Sequence, residues 1–216
     1  MPGMGDPSTL HPWTAVDAAL TFAMWAVMMV GMMLPSATPM TLIYAQVGRK
    51  AARDGSVLPP TAVFVSGYLC TWTLFSAAAT AAQWGLERAA LLSPMLVATS
   101  PRLGAGLLVA AGAWQLTPWK NVCLARCRDP VHFFAQNFRP GVRGALRLGF
   151  RYGQYCLGCC WLLMGLLFVG GVMNLVWIAA LTLFVLAEKA FVRGAWGSRV
   201  AGFALIAVGA WLFAVG

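Results

Sequence analysis

The stretch GQYCLGCCWLLMGLLFVGGVMNLVWIAALTLFVLAEKA, residues 153–190, decides the fold. Tyr155–Gly171 and Leu175–Ala190 are apolar runs, and Gly170, Gly171 and Asn174 at their junction are residues of a tight reversal. The pair reads as a hairpin of two membrane helices. Cys156, Cys159 and Cys160 stand at the mouth of the first run, with Met164 one turn further in. Upstream, GAWQLTPWKNVCLARCRDP, residues 112–130, ends another apolar run and adds Cys123 and Cys127, so five of the six cysteines lie in this region.

Composition agrees with the hairpin. The chain is 60% hydrophobic and 10% charged, with a mean hydropathy of +0.75, where soluble domains carry about 25% charged residues. An integral membrane protein is expected: all-α, polytopic, one domain over residues 1–216. A crossing takes about 20 apolar residues, which leaves room for about six helices in one bundle. Working outward from the hairpin, spans are expected at Val16–Thr38, Pro60–Ala82, Pro101–Thr117, Tyr155–Gly171, Leu175–Ala190 and Val200–Val215. Pro94 and Pro101 interrupt the run before the third span, so Ala89–Ser100 is an interfacial piece or a kinked extension. The long loop Pro118–Gly153 carries Phe133, Phe134 and Phe138 as anchors to the membrane surface. The opening MPGMGDPSTLHPW lacks a charged region leading into an apolar one, so no cleavable signal peptide is expected.

Basic residues are retained on the cytoplasmic side, and thirteen of the fifteen fall in the first, third and fifth loops. Only Arg88 and Arg102 lie in the second. The odd loops are therefore expected inside and both termini outside. The net charge of +9 is then an orientation signal that also favours anionic membrane lipid, and it does not point to nucleic acid. Trp13, Trp84 and Trp119 fall near span ends, as interface anchors do.

This topology puts Cys123, Cys127, Cys156, Cys159 and Cys160 at the cytoplasmic face, where thiols stay reduced and metal ligation is favoured over disulfides. On a helix, Cys156, Cys160 and Met164 share one face at i+4, with Cys159 beside them at i+3. Lys120, Arg126 and Arg128 nearby are expected to lower the thiol pKa values. Cys70, alone in the second span, reads as a small hydrophobe. In the first span Met24, Met28 and Met32 form one i+4 row, and Met29 and Met33 another. Thioethers and thiolates are soft ligands that select Cu(I), and neutral Met puts no anion into the bilayer. The competing reading is flexible core filler. Met28 and Met32 are taken as metal ligands with the five cysteines and Met164. Pro35 and Pro39 break this helix near the same level and would expose backbone carbonyls.

Few other polar residues lie in or beside the spans. Glu188 and Lys189, at the cytoplasmic end of the fifth, read as boundary charges or as one half of an ion pair, with Glu188 also a proton or metal site candidate. No carboxylate pair and no Ser/His/Asp arrangement points to hydrolysis, and no enzyme activity is assigned.

Taken together, GAWQLTPWKNVCLARCRDP, GQYCLGCCWLLM, GGVMNLVW, Glu188–Lys189 and the WxxMMxxMMxPS pattern at Trp25–Ser36 resemble a bacterial family of predicted metal-binding integral membrane proteins, a domain of unknown function. The resemblance implies a location in the bacterial inner membrane. It carries over to Gln115, Cys123, Cys127, Cys156, Cys159, Cys160, Met164 and Glu188, and leaves out His132. The leading reading is Cu(I) binding, delivery or translocation, with a metal chaperone as one kind of partner. Zn²⁺ or an iron–sulfur centre also suits sulfur ligands. Two other classes stay open: a non-catalytic subunit or assembly factor of a larger membrane complex with a structural metal, and a thiol oxidoreductase using the CxxC of Cys156 and Cys159.

Overall fold

The computed structural model describes residues 13–92, 100–190 and 194–215. Its regular elements are helices: α1 (Ala15–Met33), a 3₁₀ turn (Pro35–Ala37), α2 (Thr38–Arg53), α3 (Thr61–Arg88), α4 (Pro101–Leu116), α5 (Pro118–Arg128), α6 (Pro130–Asn137), α7 (Gly141–Gly165), α8 (Leu167–Gly170), α9 (Leu175–Ala190) and α10 (Gly194–Val215). Four helical stretches among the described residues are long and apolar enough to cross a membrane: Ala15–Arg53, Thr61–Arg88, Gly141–Gly170 and Trp196–Val215. Helices α4 and α9, at 16 residues each, fall short of that length.

Most of the expected spans coincide with helices, and the largest departure is the loop Pro118–Gly153. It is helical over α5 and α6, and α7 begins at Gly141, well before Tyr155. Two starts in this region are set by proline at the first helical turn, where its missing N–H costs nothing: Pro118, behind the capping hydroxyl of Thr117, and Pro130, behind the carboxylate of Asp129. Phe133 is buried against Tyr152 and Tyr155, and Phe134 packs edge-on to Tyr44. These rings therefore tie α6 into the bundle rather than to the membrane surface, leaving Phe138 exposed at its end. The chain also stays helical past Thr38, through α2 to Arg53. Of the stretch Ala89–Ser100, residues 93–99, with Pro94, lie outside the described residues, as do His11 and Arg193.

The apolar helices alternate in direction. Trp25 of α1 donates to Gln83 while Tyr68 donates to the Met33 carbonyl, so α1 and α3 are antiparallel. Tyr152 packs on Phe64, and Tyr68 reaches Cys156, so α7 runs with α3. Trp114 donates to the Gly158 carbonyl while Gly104 lies nearest Val169, which makes α4 antiparallel to α7. Trp177 bonds to Leu166 and Lys189 to Cys156, which does the same for α9. Gly202 lies against Gln115 and Gly209 against Ala105, so α10 runs against α4. The α9 reversal forms as expected: Gly171 has φ +92°, and the Asn174 side chain accepts from the backbone N–H groups of Val176 and Trp177.

The closest approach is between α3 and α7. A Cβ on Gly149 would lie inside contact distance of the Phe64 carbonyl, so only glycine lets the backbones meet here. Thr71 bonds across the same seam to the Phe150 carbonyl. This contact seats Tyr68 against the cysteines.

Candidate metal centre

The α7 helix places Cys156, Cys159 and Cys160 in the buried core, at 0%, 2% and 1% exposure, with Met164 one turn on, also buried. They are not at a mouth. Arg143, Arg147 and Arg151 form an exposed i+4 row before them, and Cys156 lies about 7.5 Å further along the axis than Arg151. Helix α5 brings Cys127 into contact with the Cys159 thiol. It also sets Cys123 beside Gly158, where an added Cβ would meet the Cys123 Sγ at 2.8 Å. The thiols of Cys159 and Cys160 both donate to the Cys156 carbonyl, each at 3.0 Å, so the three sulfurs share one turn of the helix. Five sulfurs thus form a string across the α5–α7 interface, all of them free thiols. Among the described residues no three His, Cys, Asp or Glu groups form a ready-made metal site.

Cys156 has the most polar surroundings. Its Sγ lies 2.8 Å from the Lys189 Nζ and 3.1 Å from the Tyr68 hydroxyl. Lys189 also donates to Ser36 Oγ at 2.9 Å. Ser36 and Tyr68 both donate to the Met33 carbonyl, at 2.8 and 2.9 Å. That carbonyl is free because the Ala37 N–H bonds to Leu34 in the 3₁₀ turn instead of continuing the α-helix. The proline break therefore does expose a carbonyl, but hydroxyl groups occupy it. With the two hydroxyl protons directed at Met33, the lysine ammonium is the charged donor aimed at Cys156.

On the other side of α9, Glu188 forms a buried ion pair with Lys120, 2.6 Å, and accepts from Ser198, 2.7 Å. Arg128 donates from Nε to the Glu188 backbone carbonyl at 2.9 Å. Adjacent residues on one helix differ by about 100° around the axis, so Glu188 ties α5 and α10 to α9 while Lys189 faces the thiols. The expectation that Lys120, Arg126 and Arg128 activate the α5 thiols is thereby corrected. The first and last engage Glu188, and Arg126 bonds to Gln136. Burial, then the neighbouring Cys159, raises the Cys123 pKa, and contact with the Cys159 thiol, then burial, raises that of Cys127 well above normal. Burial likewise lowers the pKa of Lys120 against the pull of Glu188.

The methionines divide. Met29, Met33 and Met40 are fully buried. Met24, Met28 and Met32 line a groove of about 600 Å³ between α1 and α9, together with Met173. Met32 belongs both to this groove and to the core that holds Cys156, Cys160 and Met164. Thus Cys127, Cys156, Cys159, Cys160 and Met164 share one buried core, and Cys123 and Met28 both pack against it. Gln115 is buried against Gly202 of α10, and its amide has no hydrogen-bond partner among the described residues. Cys70 is exposed on α3, and His132 is exposed on α6 against Gln136. Ser36, Tyr68 and the aim of Lys189 were missed in the sequence; the one available signal was a lysine inside an apolar helix end.

A family model described as a copper chaperone, PpoB2, matches residues 22–212. The chain belongs to this copper chaperone family. The match runs from α1 to near the end of α10, so it takes in every cysteine and each methionine of the groove. Neither a curated protein nor a solved structure shows significant similarity to the chain.

Proposed function

We propose that the chain is an integral membrane copper chaperone that holds Cu(I) on the thiols of Cys123, Cys127, Cys156, Cys159 and Cys160 with Met164, and hands it to a partner. The observation that carries this reading is the string of soft donors, four of its five thiols and Met164 buried, in a member of a copper chaperone family. A run of soft thiolate and thioether donors suits Cu(I), which a pair of sulfurs can hold, whereas structural Zn²⁺ sites take four donors in a tetrahedron. Lys189 offsets the negative charge that thiolate ligation would bury beside Cys156. Membrane integration is supported by an inverted surface: Leu175, Val176, Leu183, Phe203 and Trp211 are each more than 60% exposed on apolar helices. A place at the inner face of the bacterial inner membrane, with both termini outside, rests on the arginine and lysine distribution.

The oxidoreductase reading has less behind it. Cys156 and Cys159 sit within a regular stretch of α7, where Cβ atoms at this spacing are about 5–6 Å apart, and a disulfide needs about 3.5–4.5 Å. Closing it would unwind the helix.

Protein purified from membranes and titrated with Cu(I) against a coloured Cu(I) chelator tests the proposal. Retention of at least one equivalent, lost in Cys156→Ser/Cys160→Ser, is expected. Copper removed completely by the chelator, with all thiols titrating as free, would overturn it, and preferential zinc binding would replace it with a structural site.

A further inference from the structure

We propose that the groove between α1 and α9 is a second Cu(I) site, in which the thioethers of Met24, Met28, Met32 and Met173 hold the ion in transit between the thiol cluster and the arginine- and lysine-poor end of the bundle. It rests on the Cu(I) reading above and adds Met24 and Met173 as ligands. Four of the eleven methionines of the chain open onto this one groove. They come from two separate elements: three from successive turns of α1, and the fourth from the reversal before α9. A sequence row on one helix can be core packing, but a methionine from a second element lining the same groove brings soft neutral donors to it from two sides.

The groove also has a direction. Met173 is 62% exposed and Met32 is 3% exposed. Met24 adjoins Trp25, which packs on Phe168 near the far end of α7–α8, and Met32 adjoins Met33, whose carbonyl holds the two hydroxyls beside Cys156. From Met24 to Met32 is about 12 Å along α1, which takes the thioethers from the Met173 end to the core of sulfurs. Gly31 leaves the wall open, since a Cβ there would meet nothing within 4 Å. Neutral thioethers leave the charge of Cu(I) uncompensated in an apolar groove, so the ion is held more weakly there than on thiolates. That order suits exchange rather than storage.

The test uses the full chain with selenomethionine for methionine. Two equivalents of Cu(I) are added and absorption is measured at the selenium edge. Selenium–copper scattering is expected, retained in Cys156→Ser/Cys160→Ser and abolished when Met24→Leu/Met28→Leu/Met32→Leu/Met173→Leu is added to it, while the methionine variant with its cysteines intact keeps the chelator-resistant equivalent on the thiols, which reports that it is folded. Leucine preserves the volume closely enough for this comparison. Copper on the thiols without selenium–copper scattering overturns the groove alone and leaves it to lipid acyl chains. Absence of copper from both sites overturns the groove and the proposed function together.

Discussion

Lys189 distinguishes Cys156 from the other thiols, because its ammonium lies 2.8 Å from that sulfur. Hydrogen bonds involving a charged group contribute about 1.5–3 kcal/mol, and each 1.4 kcal/mol is about tenfold in affinity. Lys189→Met should therefore weaken Cu(I) binding by roughly tenfold to a hundredfold in chelator competition, with Lys189→Arg recovering part of it. Equal affinity in all three proteins would mean that Cys156 does not hold the metal. Tyr68→Phe removes a hydroxyl that donates to Met33 and adjoins the same sulfur, and it should cost about 1 kcal/mol of stability, read as a lowered unfolding temperature. The cysteine spacing was legible because i+4 spacing needs only a helix. Which way Lys189 faces was not: a rotation of α9 by one residue would have aimed Glu188 at the thiols instead, and that rotation is set by Lys120, Arg128 and Ser198 from other elements.

Between elements, two contacts hold the site in shape. The Lys120–Glu188 pair joins α5 to α9, with side chains 0% and 6% exposed. Breaking a buried pair from one side typically costs about 3–5 kcal/mol, because the remaining charge has no partner. For a chain of this size that is roughly 6–20 °C in unfolding temperature. Glu188→Leu should show a loss of this order, and Lys120→Met/Glu188→Leu should recover most of it; a double variant as unstable as the single would assign Glu188 another role. At the α3–α7 seam, Gly149→Ala places a methyl group against the Phe64 carbonyl and should cost about 1–3 kcal/mol through overpacking, with thermal unfolding as the measure. Hydropathy made the apolar helices visible, but it could not find α5, α6 or the first half of α7. There the helical period is carried by alternation of exposed Arg143, Arg147 and Arg151 with buried Ala145, Leu148 and Tyr152. A polar face of that width reads as loop to a measure that averages around the helix.

For the whole molecule, helix direction bears on the number of crossings more than helix length does. α3 and α7 run parallel, so if both cross the bilayer the chain must return between them, and α4 is the helix that runs the other way. The same holds for α9 between α7 and α10. At 16 residues each reaches about 24 Å against a hydrocarbon core of about 30 Å, a mismatch that local thinning and packing on longer neighbours can absorb. Six crossings, with the basic segments inside, are the arrangement we propose, and helix direction and charge distribution support it separately. The two readings differ at α6. In a background with Cys70 and Cys123 replaced by serine, the two cysteines that are not buried, single reporters Ala89→Cys, Ala135→Cys and Leu175→Cys are exposed to a membrane-impermeant maleimide on intact cells. Six crossings predict that Ala89→Cys and Leu175→Cys are modified and that Ala135→Cys reacts only after permeabilisation. Were α4 to lie on the membrane without crossing, position 135 would share a side with position 89 and both would react from outside. That outcome would also move the thiol string to the oxidising face and remove the compartment argument for metal ligation over disulfides.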